Sequence, residues 1–237
     1  MASVGLLYVG AVLIINGLML LGYVDARAAA PLNLFVGALQ VVTPTYLIFT
    51  AGGDTTTILA ASGIYLFGFT YLYVGINLLA NLDGTGLGWF SAFVAVCAVV
   101  YAGLNQWYFS PPDSAFALIW LYWAVLWALF WVVLGLRREE WTRYTGAVAV
   151  MAGVVTGAIP AFLLLAGQWA ARVNTWAVAL LVLEVLSLLA FLPLRSRYQP
   201  AVPPAAPVPS GAPEAPTGVP VQRGAGADAP RHGSRST

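Results

Sequence analysis

The chain has 237 residues, of which 60% are hydrophobic and only 8% are charged, with a formal net charge of +1. A typical soluble domain carries about 25% charged residues, so this chain has too few polar side chains to cover a water-facing surface and requires lipid as its main solvent. Its near-neutral charge provides no field for attracting nucleic acid.

The residue types also exclude several kinds of chemistry. All basic residues are Arg, so no lysine is available for a Schiff base or a P-loop. Cys97 is the only cysteine, and His232, the only histidine, lies five residues before the last residue. The membrane core therefore has no His base and no Cys-based metal site, and we predict no catalytic residues, no metal, no cofactor and no enzymatic activity.

Seven stretches are apolar over the roughly 20 residues that a membrane-spanning helix needs. The first lacks a positive leader and a cleavage site, which predicts a retained helix and not a signal peptide. The segments between the stretches are short, so neighbouring helices are expected to be antiparallel. The predicted spans are 3–22, 32–50, 57–80, 86–107, 115–135, 145–167 and 173–193.

The composition changes at Arg195, after which the chain is rich in Pro, Ala, Val and Gly without a helical or strand period. Such a segment cannot bury enough apolar surface to offset its ordering entropy. We therefore divide the chain into a six-helix domain (1–170), an extra transmembrane helix (171–194) and a disordered tail (195–237).

Arginine counts predict the orientation, because cytoplasmic loops are enriched in basic residues. With the N-terminus outside, the inner loops and the tail hold six arginines near membrane ends, and the outer loops hold only Arg172. We therefore expect a multi-pass protein of the bacterial cytoplasmic membrane, with an outer N-terminus and a cytoplasmic tail.

Glu184, in the last span, is the only charged side chain inside the predicted spans. Coupled transporters and channels with charged rings usually carry several ionisable groups in the membrane. Their near absence favours passive movement of an uncharged solute, or a structural role without transport. For Glu184 itself, we favour a group that is hydrogen-bonded between helices or neutralised by protonation over a pore carboxylate.

Five short motifs, in order over about 170 residues, resemble those of the bacterial urea/amide channel family of the AmiS/UreI type. The motifs are Leu6 to Gly10 with Asn16-Gly17, Asn33 to Gly37, Phe67 to Tyr73 with Asn77, Trp120 to Trp127, and Thr156 with Ile159-Pro160. The resemblance implies an all-α bundle of six helices with a pore through each protomer, assembled as a homohexamer. The seventh span departs from this pattern, so we expect Glu184 to lie outside the pore.

The resemblance also implies which residues line the pore constrictions: Leu6, Val9, Leu13, Phe67, Tyr71, Trp123, Leu126 and Trp127. We add Trp120, which shares a helix face with Trp123 and Trp127 at i, i+3 and i+7, and Asn16. For Asn16 and Asn77, pore lining and hydrogen bonding between helices both stay open, and the latter is the commoner use of intramembrane Asn. Aromatic stripes with helical spacing are also typical of ordinary packing and interfacial belts.

Flat aromatic walls suit small planar amides, because rings sandwich the solute and an indole N–H or tyrosine O–H binds its edge. Two departures from the family pattern inform substrate and gating. Urea channels of this family carry a Glu where this chain has Ala152 or Gly153, and the segment from Asp83 to Phe90 resembles the amide-transporter branch. The outer loops are short and lack His, so no group there titrates near neutral pH.

We therefore expect a channel for short aliphatic amides, with urea as a further candidate substrate, that is open regardless of pH. A urea channel supplying a cytoplasmic urease is the second hypothesis. A non-conducting scaffold or receptor that acts through its Pro-rich tail is the alternative of another class.

Overall fold

The computed structural model describes residues 2–197, which are helical and contain no strand. Residues 198–237, most of the predicted tail, lie outside the described residues. Seven helical spans are long and apolar enough to cross a membrane, which confirms the predicted all-α membrane fold. They are Ala2–Leu21, Ala26–Thr50, Thr55–Ala80, Thr85–Tyr108, Ser114–Gly135, Glu139–Leu165 and Ala170–Arg195.

Within these spans the structure has eight α-helices, because a π-helical turn at Gly153–Ala158 divides the sixth span. The helices are α1 (Ala2–Leu21), α2 (Ala26–Thr50), α3 (Thr55–Ala80), α4 (Thr85–Gly103), α5 (Ser114–Phe130), α6 (Thr142–Ala152), α7 (Ile159–Leu165) and α8 (Val173–Ala190). Further π-helical turns extend α4 (Leu104–Tyr108) and α5 (Trp131–Gly135), and 3-10 turns are found at Glu139–Trp141, Ala170–Arg172 and Leu192–Arg197.

Aspartates at the membrane edges start the helices. Each accepts hydrogen bonds from backbone N–H groups of the following first turn, which have no partner inside the helix. In this way Asp25 caps α2, Asp54 caps α3 and Asp113 caps α5, while Asp83 bonds the N–H of Thr85 at the start of α4. The cap at Asp25 starts α2 at Ala26, six residues before the predicted start, and the helix continues through Pro31.

The first helix packs closely against the sixth span because glycines face each other along the contact. A Cβ atom on Gly10 would lie 2.7 Å from the backbone N of Ala158, and one on Gly17 would lie 2.6 Å from the carbonyl O of Gly146. Such small-residue contacts let two membrane helices approach to backbone distance.

The seventh span, α8, packs on α5 and α6 through few residues. Only Leu180, Glu184 and Ser187 are buried in it. The Tyr122 hydroxyl lies 2.7 Å from Ser187 Oγ, and the Tyr144 hydroxyl donates to the carbonyl O of Leu188 at 3.0 Å. The contact with the bundle is thus narrow and partly polar.

After α8, the chain turns back onto the sixth span. Residues 195–197, which we assigned to the tail, belong to the 3-10 turn Leu192–Arg197. The guanidinium carbon of Arg195 lies 4.3 Å from the centre of a Trp141 ring, a cation–π contact that fixes this end of the chain.

The α1 contact generates a stability prediction. Gly10→Ala places a methyl group against backbone atoms that cannot move aside, so we expect it to destabilise the fold by about 1–3 kcal/mol. Gly103→Ala is the matched control, because the nearest atom to its Cβ is on Trp107 at an ordinary 3.5 Å. Unfolding in mixed detergent is the measurement, and equal stability of the two variants would contradict close packing at Gly10.

Candidate solute pathway

Two cavities lie inside the bundle and meet at the same two rings. The larger, about 320 Å³, is lined by residues at the face where α1 ends, including Leu20 and Leu134. The smaller, about 210 Å³, is lined by residues at the opposite face, including Ser3. Phe67 and Trp123 line both cavities, so the two rings separate one cavity from the other. Together the cavities mark a candidate path across the bundle.

The constriction between the cavities is an aromatic cluster formed by α3 and α5. The Phe67 ring centre lies 4.7 Å from that of Trp123 and 4.8 Å from that of Trp127, both edge to face. The ring centre of Trp120 lies 5.8 Å from that of Phe67. Edge-to-face geometry is favourable for aromatic pairs, so these rings hold the two helices together where the path is narrowest.

A hydrogen bond from the sixth span fixes the Trp123 ring. Its Nε1 donates to Thr156 Oγ1 at 2.9 Å, and that hydroxyl donates to the carbonyl O of Ala152 at 2.6 Å. Thr156 lies in the π-helical turn before Pro160, whose missing N–H interrupts the regular helix. The turn thereby presents the threonine hydroxyl to the indole.

The structure brings together all ten residues predicted to line the pore. Each is at most 8% exposed. Leu13, Asn16, Phe67, Tyr71, Trp123, Leu126 and Trp127 line the larger cavity, and Leu6, Val9, Phe67, Trp120 and Trp123 line the smaller. The same rings are core residues of the bundle, so packing and lining are combined in one set of side chains.

Asn16 lines the larger cavity, but its side-chain amide is already paired. Its Nδ2 donates to Asn33 Oδ1 at 2.8 Å, and Asn33 Nδ2 donates back to Asn16 Oδ1 at 2.7 Å. Asn33 also donates to the carbonyl O of Ala29 at 2.9 Å. Of the two uses left open for Asn16, hydrogen bonding between helices is therefore the one that occupies its polar atoms.

Sequence reasoning missed the polar lining residues Thr70, Ser91 and Gln40, and it left pore lining open for Asn77. Thr70, Asn77 and Ser91 line the larger cavity, and Gln40 lines the smaller. The spacing on α3 gave a signal for Thr70. It lies three residues after Phe67 and seven before Asn77, so the three side chains share a helix face. Gln40 gave a weaker one, as a lone amide within an apolar stretch seven residues after Asn33.

Glu184 lines neither cavity, in agreement with its predicted place outside the pore. It is 6% exposed, and its Oε1 has no hydrogen-bond partner among the described residues. Hydrogen bonding between helices, one of our two interpretations, is therefore wrong for this oxygen. The Ser187 hydroxyl instead bonds the backbone carbonyl of Glu184 at 2.8 Å.

Comparison with known proteins gives consistent matches. The chain is 53% identical over 203 residues to a protein named as the transporter AmiS2 from Rhodococcus erythropolis, covering 84% of this chain and 98% of the relative. It is 56% identical over 169 residues to a protein named as an amidate substrates transporter from Mycolicibacterium smegmatis, covering 71% and 78% respectively. The first match leaves only about 38 residues of this chain outside it, so it includes the seventh span.

A solved structure also matches. The urea channel of Helicobacter pylori in its closed state superposes with a TM-score of 0.64 at 34% identity, covering 72% of this chain and all of the channel. The family model for AmiS/UreI transporters matches residues 1–168, which include the first six spans and every residue of the aromatic constriction. The chain is therefore a member of the AmiS/UreI family of transporters.

Proposed function

We propose that this chain forms a passive channel for short aliphatic amides. The observation that carries the proposal is the path itself, in which two apolar cavities meet at a constriction of aromatic rings. A small planar molecule fits between flat rings, and tryptophan and tyrosine edges offer hydrogen bonds without holding the solute tightly. Weak binding keeps a channel conducting, because the solute must leave as readily as it enters.

The lining rejects ions. No Asp, Glu or Arg side chain is among the described residues that line either cavity. An ion that sheds its water in such a path meets no compensating charge, and the cost of dehydrating it is large. A neutral amide loses only hydrogen bonds to water, so the same path excludes ions and admits amides.

The structure also offers no group to couple transport to a gradient. Coupled transporters bind protons or sodium at ionisable side chains within the membrane. Among the described residues, Glu184 is the only carboxylate in the middle of a membrane helix, and it lies outside both cavities. Downhill movement of the solute is therefore what this arrangement supports.

The relatives favour amides over urea as the main substrate. The two relatives named as transporters, one of them for amidate substrates, are more than half identical to this chain, whereas the urea channel is 34% identical. Urea stays the second candidate, since the matched structure is named for it and urea is also planar and neutral.

Orientation and assembly are part of the proposal. Arg27, Arg137 and Arg138 lie at the face where α1 ends, and Arg172 lies at the other face. By the positive-inside rule, the N-terminus is outside and the larger cavity faces the cytoplasm. A homohexamer in the bacterial cytoplasmic membrane, as the family resemblance implies, stays a prediction.

The channel proposal predicts a selectivity change. Trp127→Ala opens the constriction, so we expect propionamide flux to rise about threefold relative to acetamide flux, because a tight wall discriminates against one added methylene. Stopped-flow light scattering on reconstituted vesicles measures both fluxes. Trp89→Ala is the control, since Trp89 is 58% exposed and lines neither cavity. An unchanged flux ratio in Trp127→Ala would remove this ring from the path, and accumulation of amide against its gradient would refute the passive channel.

The protonation state of the loop carboxylates leads us to predict that amide flux does not depend on pH. Hydrogen bonds from Thr57 and Thr56 lower the pKa of Asp54 below its ordinary 3.8, and hydrogen bonds from Thr85, together with Arg137, lower the pKa of Asp83. A lowered carboxyl pKa keeps the charged form until the pH falls below that ordinary value, so both groups stay ionised from pH 7 to pH 5. We expect equal amide uptake at pH 5 and pH 7, and a severalfold rise at pH 5 would contradict an ungated pore.

The orientation predicts which loop cysteines are reachable from outside the cell. After Cys97→Ser removes the native thiol, we expect Ala51→Cys, at the end of α2, to react with a membrane-impermeant maleimide in intact cells. Leu136→Cys, after α5, should react only once the cells are opened. The reverse pattern would place the N-terminus inside.

A further inference from the structure

We propose that Gln40 and Asn77 are amide-recognition residues, one in each cavity, which hydrogen-bond the carboxamide group of the solute on either side of the aromatic constriction. The inference rests on the proposed function and names the side chains that recognise the amide group of the substrate.

Asn77 has an unpaired side-chain amide. It is 8% exposed and lines the larger cavity. Its Nδ2 and Oδ1 are both buried without a hydrogen-bond partner. A buried donor and acceptor left unpaired cost free energy, and the proposal requires the amide to rotate toward the adjoining cavity about χ2, a torsion that is broad for Asn.

Gln40 has the same character in the other cavity. It is 3% exposed, lines the smaller cavity, and its side chain makes no hydrogen bond to the described residues. The amide lies over Gly5, where a Cβ atom would approach Gln40 Oε1 to 2.9 Å. The glycine thus leaves room for the amide at this position.

Most other polar side chains of the larger cavity are already engaged, whereas the Tyr71 hydroxyl, like Asn77, makes no hydrogen bond to the described residues. Asn16 is paired with Asn33, the Thr70 hydroxyl donates to the carbonyl O of Leu66, and the Ser91 hydroxyl donates to that of Leu87. Asn81 is exposed at the cavity mouth. Within this cavity, Asn77 is therefore the buried carboxamide that retains both a free donor and a free acceptor.

The chemistry of a carboxamide matches that of the solute. A primary amide presents a C=O and an N–H on one edge, and so do Asn and Gln, so two such groups form a ring of two hydrogen bonds. The Asn16–Asn33 pair shows this arrangement within the molecule, at 2.7 and 2.8 Å. An N,N-dialkyl amide has no N–H and accepts at most one of the two bonds.

The two amides lie on opposite sides of the constriction. Asn77 is ten residues after Phe67 on α3, about 15 Å along the helix axis at 1.5 Å per residue, and Gln40 lines the cavity beyond the rings. A solute that sheds water to pass the rings can thus exchange it for a protein amide before and after them.

The test combines flux with direct binding. The variants are Asn77→Leu and Gln40→Met, which keep the side-chain size and remove the hydrogen bonds, and Asn105→Leu is the matched control, because Asn105 lines neither cavity. We expect acetamide flux to fall about fivefold in each variant and to stay at the wild-type level in the control. In protein with ¹⁵N-labelled Asn and Gln, the Asn77 and Gln40 side-chain NH₂ resonances, each assigned by its loss in the variant, should shift with acetamide and shift less with N,N-dimethylformamide, which can make only one of the two hydrogen bonds.

The outcomes separate this inference from the proposed function. If wild-type vesicles conduct acetamide no faster than protein-free vesicles, the channel proposal itself fails. If wild type conducts and both variants match it, or if the two resonances ignore acetamide, only the amide-recognition role is overturned. Equal losses for acetamide and N,N-dimethylformamide would also overturn it, because they would indicate a structural defect.

Discussion

The contact of Phe67 with the tryptophans of α5 is the interaction on which the arrangement of the bundle depends. These rings join α3 to α5, and they are also the surface at which the two cavities meet. Large aromatic side chains bury much apolar area and prefer defined mutual geometry. The side chains that line the path are also core residues of the bundle, so core packing holds the wall of the path in place. Thr156 adds a directional bond from a third span, so the position of the Trp123 ring is fixed by hydrogen bonding as well as by packing.

Buried polar groups divide into two kinds in this molecule. Some are satisfied and hold helices together, as Asn16 and Asn33 do for α1 and α2. Others are unsatisfied and lie beside open space, as Asn77 does. In a membrane interior, a polar group without a partner is costly, so an unpaired group that also lines a cavity, as Asn77 does and Glu184 does not, is a candidate for binding a solute. The same residue type thus serves structure in one place and recognition in another, and only its partners distinguish the two.

Hydropathy was enough to predict the fold, because a span in lipid must be apolar over its whole length, and the seven spans follow directly from that constraint. Hydropathy was less accurate for helix starts. It predicted a start at residue 32 for the second span, whereas α2 begins after the Asp25 cap and continues through Pro31. The pore residues came from the family resemblance and from the spacing of the α5 tryptophans. Gln40 escaped notice and the role of Asn77 stayed open, because whether a side chain has a partner depends on neighbouring helices, and no periodicity in one helix encodes it. The orphaned oxygen of Glu184 was missed for the same reason.

The seventh span has a topological consequence. An even number of crossings returns a chain to the compartment where it began, whereas an odd number delivers it to the other one. With α8 present, the polypeptide emerges at the face opposite Ala2, next to the Arg195–Trp141 contact. Arg197, the last described residue, therefore lies at the face toward which the larger cavity opens. A reporter joined directly after Arg197 would therefore sample the solute on the side of the larger cavity, whereas one joined after the sixth span would sample it on the side of the smaller cavity.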